Sequence, residues 1–186
     1  MWRHRGRQLT LEHYHGVPAG WRAEEMAATH ATLNGTFPIS DVDLGRWRAP
    51  TWMPDREAWL RHMAVLNRIA DGVRADDAAC VELAVRYIEL HHIGSYSGYR
   101  RAKLARSLKH AALTEPQKTR LNAHFLTRVR NRDYTIEVRD YWPVWHRIID
   151  APTADVIATL LATRETSRYT GHLTALIDAD QRRTRG

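Results

Sequence analysis

Apolar side chains recur every three to four residues over most of the chain, a spacing that places them on one face of an α-helix. The clearest series follows Pro54 and consists of Trp59, Met63, Leu66, Ala70 and Val73. Pro54 suits a first helical turn, and Asp55 and Glu57 suit the positive end of the helix dipole. The pattern therefore predicts an amphipathic helix that begins at Pro54.

A second apolar series predicts a central, buried helix. It opens at Asp76 and Asp77, and its apolar positions cover more than one helical face: Val81, Leu83, Val85, Tyr87, Ile88 and Leu90. Such a helix needs neighbours on several sides. Cys80 lies within this pattern, so we interpret it as a small core residue and not as a reactive thiol.

Further helices are predicted before and after this pair. One extends from about Trp21 to Leu33 and ends at Asn34-Gly35, a common helix terminus. Later helices are predicted from Ser97, as N-cap, to about His110, from Thr114 to Asn131, from Val138 to Ile149, from Thr153, and around Leu173 to Ile177. Pro143 lies inside the predicted helix from Val138 to Ile149, so this helix either bends at Pro143 or begins only near Asp140.

These patterns predict an all-α fold, a compact bundle of about six to eight helices. Only the brief segment 134–138 alternates apolar and polar residues, so a sheet is not expected. Residues 1–20 lack helical periodicity and predict an extended basic arm. Residues 21–180 predict a single helical domain with a Trp/Pro-rich loop at 36–53, and residues 181–186 predict a frayed basic tail.

Composition restricts the class of protein further. The chain has 186 residues, of which 44% are hydrophobic and 26% are charged, as expected for one globular domain. No apolar run approaches the roughly 18 to 20 residues of a membrane-spanning helix, so no membrane partner and a cytoplasmic location are expected. The single Cys80 excludes an intramolecular disulfide framework and a zinc site built on several cysteines.

The positive charge of the chain is concentrated in one segment. The whole chain has a net charge of +7, and residues 94–149 contain twelve basic and four acidic residues, a net charge of +8. A concentrated basic patch attracts phosphates or an acidic protein surface. We therefore expect the partner to be nucleic acid or an acidic protein.

The helix after Gly98 is the best candidate for that contact. Helical geometry places Leu104 and Leu108 on one side and most cations on the other. The glycine-rich stretch 94–98 would add unpaired backbone N–H groups at the positive end of this helix. Such groups can bind a phosphate. The predicted polyanion-binding residues are Ser97, Gly98, Arg100, Arg101, Lys103, Arg106, Lys109, Arg120, Arg128 and Arg130.

Three other interpretations fit the same sequence. The simplest is a capped loop before a solvated basic helix. Another is an adaptor, inhibitor or regulatory protein that docks on an acidic partner, with Trp47 and Trp52 as apolar anchors. The last is a metal-dependent enzyme that uses the E-x-x-H pair Glu89 and His92, since these side chains share a helix face. The sequence favours a non-enzymatic binding protein without catalytic residues or cofactors.

Overall fold

The computed structural model of the chain describes residues 2–4, 7–9, 16–45, 49, 51, 53, 55–132, 137–163 and 169–185. Within these residues the predicted all-α bundle is confirmed, with eight helices. They are α1 Ala23–Thr32, α2 Arg56–Arg74, α3 Ala78–Leu90, α4 Ser97–Leu108, α5 Glu115–Arg130, α6 Val138–Ile148, α7 Ala151–Ala162 and α8 Thr170–Arg185. No helix in this described part is long and apolar enough to cross a lipid bilayer.

The predicted N-terminal arm contains a short ribbon. Two three-residue strands, β1 Trp2–His4 and β2 Arg7–Leu9, pair antiparallel with Trp2 opposite Leu9. The sequence analysis predicts extended backbone here but no strand pairing, because alternation over three residues is too short to detect.

α3 is the central helix, as its apolar pattern predicts. It packs against α1, α2, α4 and α5, and Val85, Tyr87 and Ile88 are fully buried. Leu90 differs from the prediction because it is 41% exposed at the C-terminal end of the helix. Apolar periodicity alone did not show that the last residue of α3 lies at the surface.

Short polar side chains fix several helix starts. Thr114 and Gln117 form a capping box at α5, and Asp150 accepts a hydrogen bond from the backbone N–H of Thr153 at 2.9 Å. α7 therefore begins at Ala151, two residues before the predicted start. α2 begins at Arg56, and the predicted start at Pro54 lies outside the described residues. These caps satisfy backbone donors that have no partner inside the helix.

The last helices complete the core around two stacked indoles. α6 begins at Val138 and continues through Pro143, while Trp142 and Trp145 stack with their ring centroids 5.5 Å apart. α8 packs on α6 and α7 and is longer than its apolar positions predict. It extends to Arg185 and so includes residues that the sequence assigns to the tail.

His62 is a neutral histidine in the core. Its Nδ1 lies 2.7 Å from the carbonyl oxygen of Trp21, and its Nε2 lies 3.3 Å from the hydroxyl of Tyr87. A carbonyl oxygen can only accept, so Nδ1 holds the proton and the Tyr87 hydroxyl donates to Nε2. Burial, assisted by the charges of His92 and Arg100, lowers the pKa of His62 to about 4.

When the pH falls from 7.5 to 5, we expect the free energy of unfolding to decrease by about 2 kcal/mol because of His62. The unfolded histidine binds a proton near its ordinary pKa of 6.5, whereas the folded one resists protonation down to about pH 4. Acid therefore favours the unfolded chain. Urea denaturation at both pH values checks this in the natural chain and in His62→Gln. An equal loss of stability in the two proteins would contradict the assignment.

Candidate anion-binding face

The helix predicted as the binding element, α4, has its leucines in the core. Leu104 and Leu108 are buried, and the helix packs against α2, α3 and α6. Ser97 is the first residue of this helix and not its cap, because Tyr96 occupies the N-cap position. The Ser97 hydroxyl instead donates to the carbonyl of Gly94 and accepts from its N–H.

A carboxylate of the chain itself, that of Glu137, lies at the predicted phosphate-binding site at the start of α4. A Cβ added to Gly98 would lie 2.9 Å from Oε2 of Glu137. The same carboxylate accepts hydrogen bonds from Nε and Nη2 of Arg101, and Nη1 of Arg101 donates to the carbonyl of His92. Glu137 therefore supplies the negative charge that this helix terminus favours.

Arg101 consequently does not belong to an accessible basic surface. Its residue exposure is 3% and that of Glu137 is 1%, so the ion pair lies inside the bundle. Ser97 is buried as well, which removes it from contact with an external ligand. Both residues were predicted to bind a polyanion, and the structure places both in the interior of the bundle. A buried guanidinium needs an internal counter-charge, which Glu137 provides.

Two other predicted cations converge on one neutral oxygen. Nη1 of Arg100 and Nζ of Lys103 both donate to Oδ1 of Asn67 on α2, at 2.6 and 2.9 Å. Burial lowers the pKa of both side chains. For Lys103 the charge of Asp71 opposes this shift, and the charges of Arg74, Arg100 and Arg106 add to it. Like charges held together at a half-buried position attract an anion.

An open cleft of about 390 Å³ continues this positive region toward the C-terminal ends of α2 and α4. Arg74, Arg106 and His110 line it together with one acidic residue, Asp76. Arg106 also pairs with Asp140 at 2.8 Å, and Arg74 pairs with Asp71 at 2.5 Å. These pairs are exposed enough for water or a ligand oxygen to compete for the guanidinium groups.

We define the basic face as Arg74, Arg100, Lys103, Arg106 and His110. Arg74 and His110 were missed by the sequence analysis. Arg74 belongs to the segment 51–93, which has a net negative charge, so a count along the chain hides it. Arg74 lies in the last turn of α2, and the packing of α2 against α4, which brings it to this face, is seen only in the structure.

The remaining predicted cations lie on other parts of the bundle. Arg120 forms ion pairs with Glu82 and Glu89 across the contact between α5 and α3. Arg128 is half-buried and Arg130 is exposed, both on α5, whose packing partners are α3, α6 and α7. Lys109 is exposed just after the end of α4. The structure therefore brings together only part of the predicted set.

In the pair proposed for a metal-dependent enzyme, the carboxylate of Glu89 is used in another contact, whereas the contact of His92 involves its backbone carbonyl and not its imidazole. Glu89 is an ion-pair partner of Arg120, and the carbonyl of His92 accepts from Arg101. Among the described residues, one group of possible metal ligands is present elsewhere: His30, Asp77 and Cys80 have donor atoms within 4.8 Å of one another.

The buried group of His30, Asp77 and Cys80 connects α1 to α3 by hydrogen bonds. Asp77 accepts from the backbone N–H of Cys80, Thr36 and Phe37 and lies 3.1 Å from Nε2 of His30. Burial opposes the charge of Asp77, but these donors hold its pKa well below the ordinary range. Both carboxylate oxygens already have partners. Burial and the Asp77 charge raise the pKa of the Cys80 thiol, which disfavours the thiolate form that acts as a nucleophile.

The anchors predicted for an acidic protein partner, Trp47 and Trp52, lie outside the described residues.

Comparisons with protein families, with curated proteins and with solved structures find no match for this chain.

Proposed function

We propose that this protein binds nucleic acid through its phosphates, at the basic face formed by α2 and α4. The observation that supports it is the convergence of Arg100 and Lys103 on the single neutral oxygen of Asn67. A phosphate placed there would relieve the repulsion between two cations and accept hydrogen bonds from both.

The length of the face suits a polymer with repeated charges. Arg100 and His110 are separated by ten residues of α4 and its C-terminal turn, about 15 Å at 1.5 Å per residue. Lys103 and Arg106 lie between them, and Arg74 faces the cleft from α2. Such a row offers several phosphate contacts, and each contact adds to affinity through release of counterions.

Replacing Arg100, Lys103 and Arg106 together by Ala should weaken binding to DNA and RNA and make it less dependent on salt. Each lost phosphate contact lowers the slope of log K against log[salt] by roughly 0.7 to 0.9, so a total decrease of about two is expected. The measurement is fluorescence anisotropy of labelled oligonucleotides over a salt series, with protein freed of nucleic acid by nuclease treatment and high-salt washing.

A matched variant separates this face from the overall charge. Arg61, Arg86 and Arg182 are exposed on other parts of the bundle, and their replacement by Ala removes the same charge. This control should retain most of the affinity. Equal losses in the two triple variants would reject the α2–α4 face. No binding by the natural chain even at low salt would reject nucleic acid and favour an acidic protein partner.

A further inference from the structure

Two aromatic side chains are exposed beside the basic face. Tyr96 and Tyr99 are each 58% exposed, and their ring centroids are 6.0 Å apart at an angle of 39°. The ring of Trp59 on α2 contacts Tyr96 edge-on at 6.1 Å and so supports it on one side. Large aromatic side chains are usually buried for their apolar surface, so two adjacent exposed rings indicate a recognition surface.

The backbone at Tyr96 is held in an unfavourable conformation. Its φ of 59° lies in the left-handed region, which residues other than Gly, Asn and Asp seldom adopt. The neighbouring Ser97 fixes this geometry through its two hydrogen bonds to the backbone of Gly94. Strain of this kind is typical of functional sites, where surrounding contacts hold a side chain in a required position.

The tyrosines are aligned with the cations. At 100° per residue, Tyr99, Lys103, Arg106 and His110 lie within about 60° of one another on α4 and its C-terminal turn. Tyr96 occupies the N-cap position of α4, and its carbonyl oxygen accepts a hydrogen bond from the backbone N–H of Arg100 at 3.1 Å. A ligand along this face therefore meets aromatic rings at the N-terminal end of α4 and cations along the rest.

We propose that the ligand is single-stranded nucleic acid whose bases stack on Tyr96 and Tyr99 while its phosphates follow Arg100, Lys103 and Arg106. This inference rests on the proposed function and specifies its substrate. In a duplex the bases are already stacked on each other and present only their edges, whereas a single strand exposes the flat base surfaces that aromatic rings bind. Aromatic rings beside a basic groove are the usual arrangement for such strands.

The test compares a labelled twelve-nucleotide oligo(dT) with the same strand annealed to oligo(dA), at equal salt. Tyr96→Ala and Tyr99→Ala should each weaken binding to the single strand by roughly 5- to 150-fold, since one base stack contributes about 1 to 3 kcal/mol. The salt slope should remain unchanged because tyrosine is uncharged. Tyr96→Phe and Tyr99→Phe should bind normally because they retain the ring.

Leu90→Ala is the matched control, since it removes an exposed apolar side chain without an aromatic face. Its affinity should equal that of the natural chain. Circular dichroism of every variant establishes that the helices are intact. Normal binding by both alanine variants, or tighter binding of the duplex than of the strand, would overturn the stacking proposal while the phosphate-binding function stands. Failure of the natural chain to bind either probe would overturn both.

Discussion

Replacing Glu137 by Gln is expected to lower the free energy of unfolding by about 3 to 5 kcal/mol, because it leaves the buried Arg101 without its counter-charge. Both residues are almost fully buried, and the guanidinium donates to the Glu137 carboxylate through two nitrogens. Gln has nearly the same shape, so the contact with Gly98 is kept and only the charge is lost. Denaturant unfolding at pH 7 measures the difference.

A partly exposed pair between the same two helices provides the comparison. Arg106 and Asp140 also join α4 to α6, and the Arg106 side chain is 57% exposed. Asp140→Asn should therefore cost no more than about 1 kcal/mol. Equal effects of the two substitutions would show that Glu137 is not a buried counter-ion. A double variant, Arg101→Met with Glu137→Leu, should regain much of the stability, since it removes both charges together.

Sequence periodicity predicted the helices well because each depends on local spacing and on caps close in sequence. The burial of Arg101 was also available from the sequence. It lies about 20° from Leu108 and about 60° from Leu104 around the helix, so it occupies a core position. The net charge of the segment obscured the burial of Arg101, because a count of cations does not distinguish side chains that face the core from side chains that face the solvent.

The partner of Arg101 was not predictable from local pattern. Glu137 lies 36 residues further along the chain, before the first residue of α6, and nothing in its neighbourhood specifies where α6 will pack. The same holds for Asn67, which receives hydrogen bonds from Arg100 and Lys103 on another helix. The sequence thus indicated the helix on which the proposed site lies, whereas the tertiary contacts determine which cations remain accessible.

The internal pairing of Arg101 also makes the proposed surface more selective. The carboxylate of Glu137 lies beside Gly98 at the start of α4, so under the proposed function we expect an external phosphate to bind at Arg100 and Lys103 and not there. The accessible positive charge therefore begins one turn after Tyr96. This order of aromatic and cationic groups distinguishes the proposed site from a uniformly basic helix, for which the tyrosine variants would have no effect on binding.

Asp77 is expected to be the other position with a large effect: Asp77→Ala should destabilise the fold by about 3 to 5 kcal/mol. The carboxylate accepts three backbone N–H groups, of Cys80 at 2.7 Å, Thr36 at 2.7 Å and Phe37 at 2.9 Å. Alanine leaves these donors without a partner and also removes the N-cap of α3. The neighbouring Asp76→Asn is the control and should change stability by less than about 0.5 kcal/mol.

The pH dependence of this effect follows from the lowered pKa of Asp77. The folded carboxylate remains charged in acid that protonates it in the unfolded chain, so its contribution is complete above an unfolded pKa near 3.8 and is lost as the pH falls toward the folded value. The stability difference between the natural chain and Asp77→Ala should therefore be constant from pH 5 to pH 8 and shrink below pH 4. Urea denaturation at pH 7 and pH 3 measures both ends. A stability difference that grows in acid would show that Asp77 is not a charged acceptor. A melting temperature that falls when a metal chelator is added would show that Asp77 binds a metal ion together with His30 and Cys80.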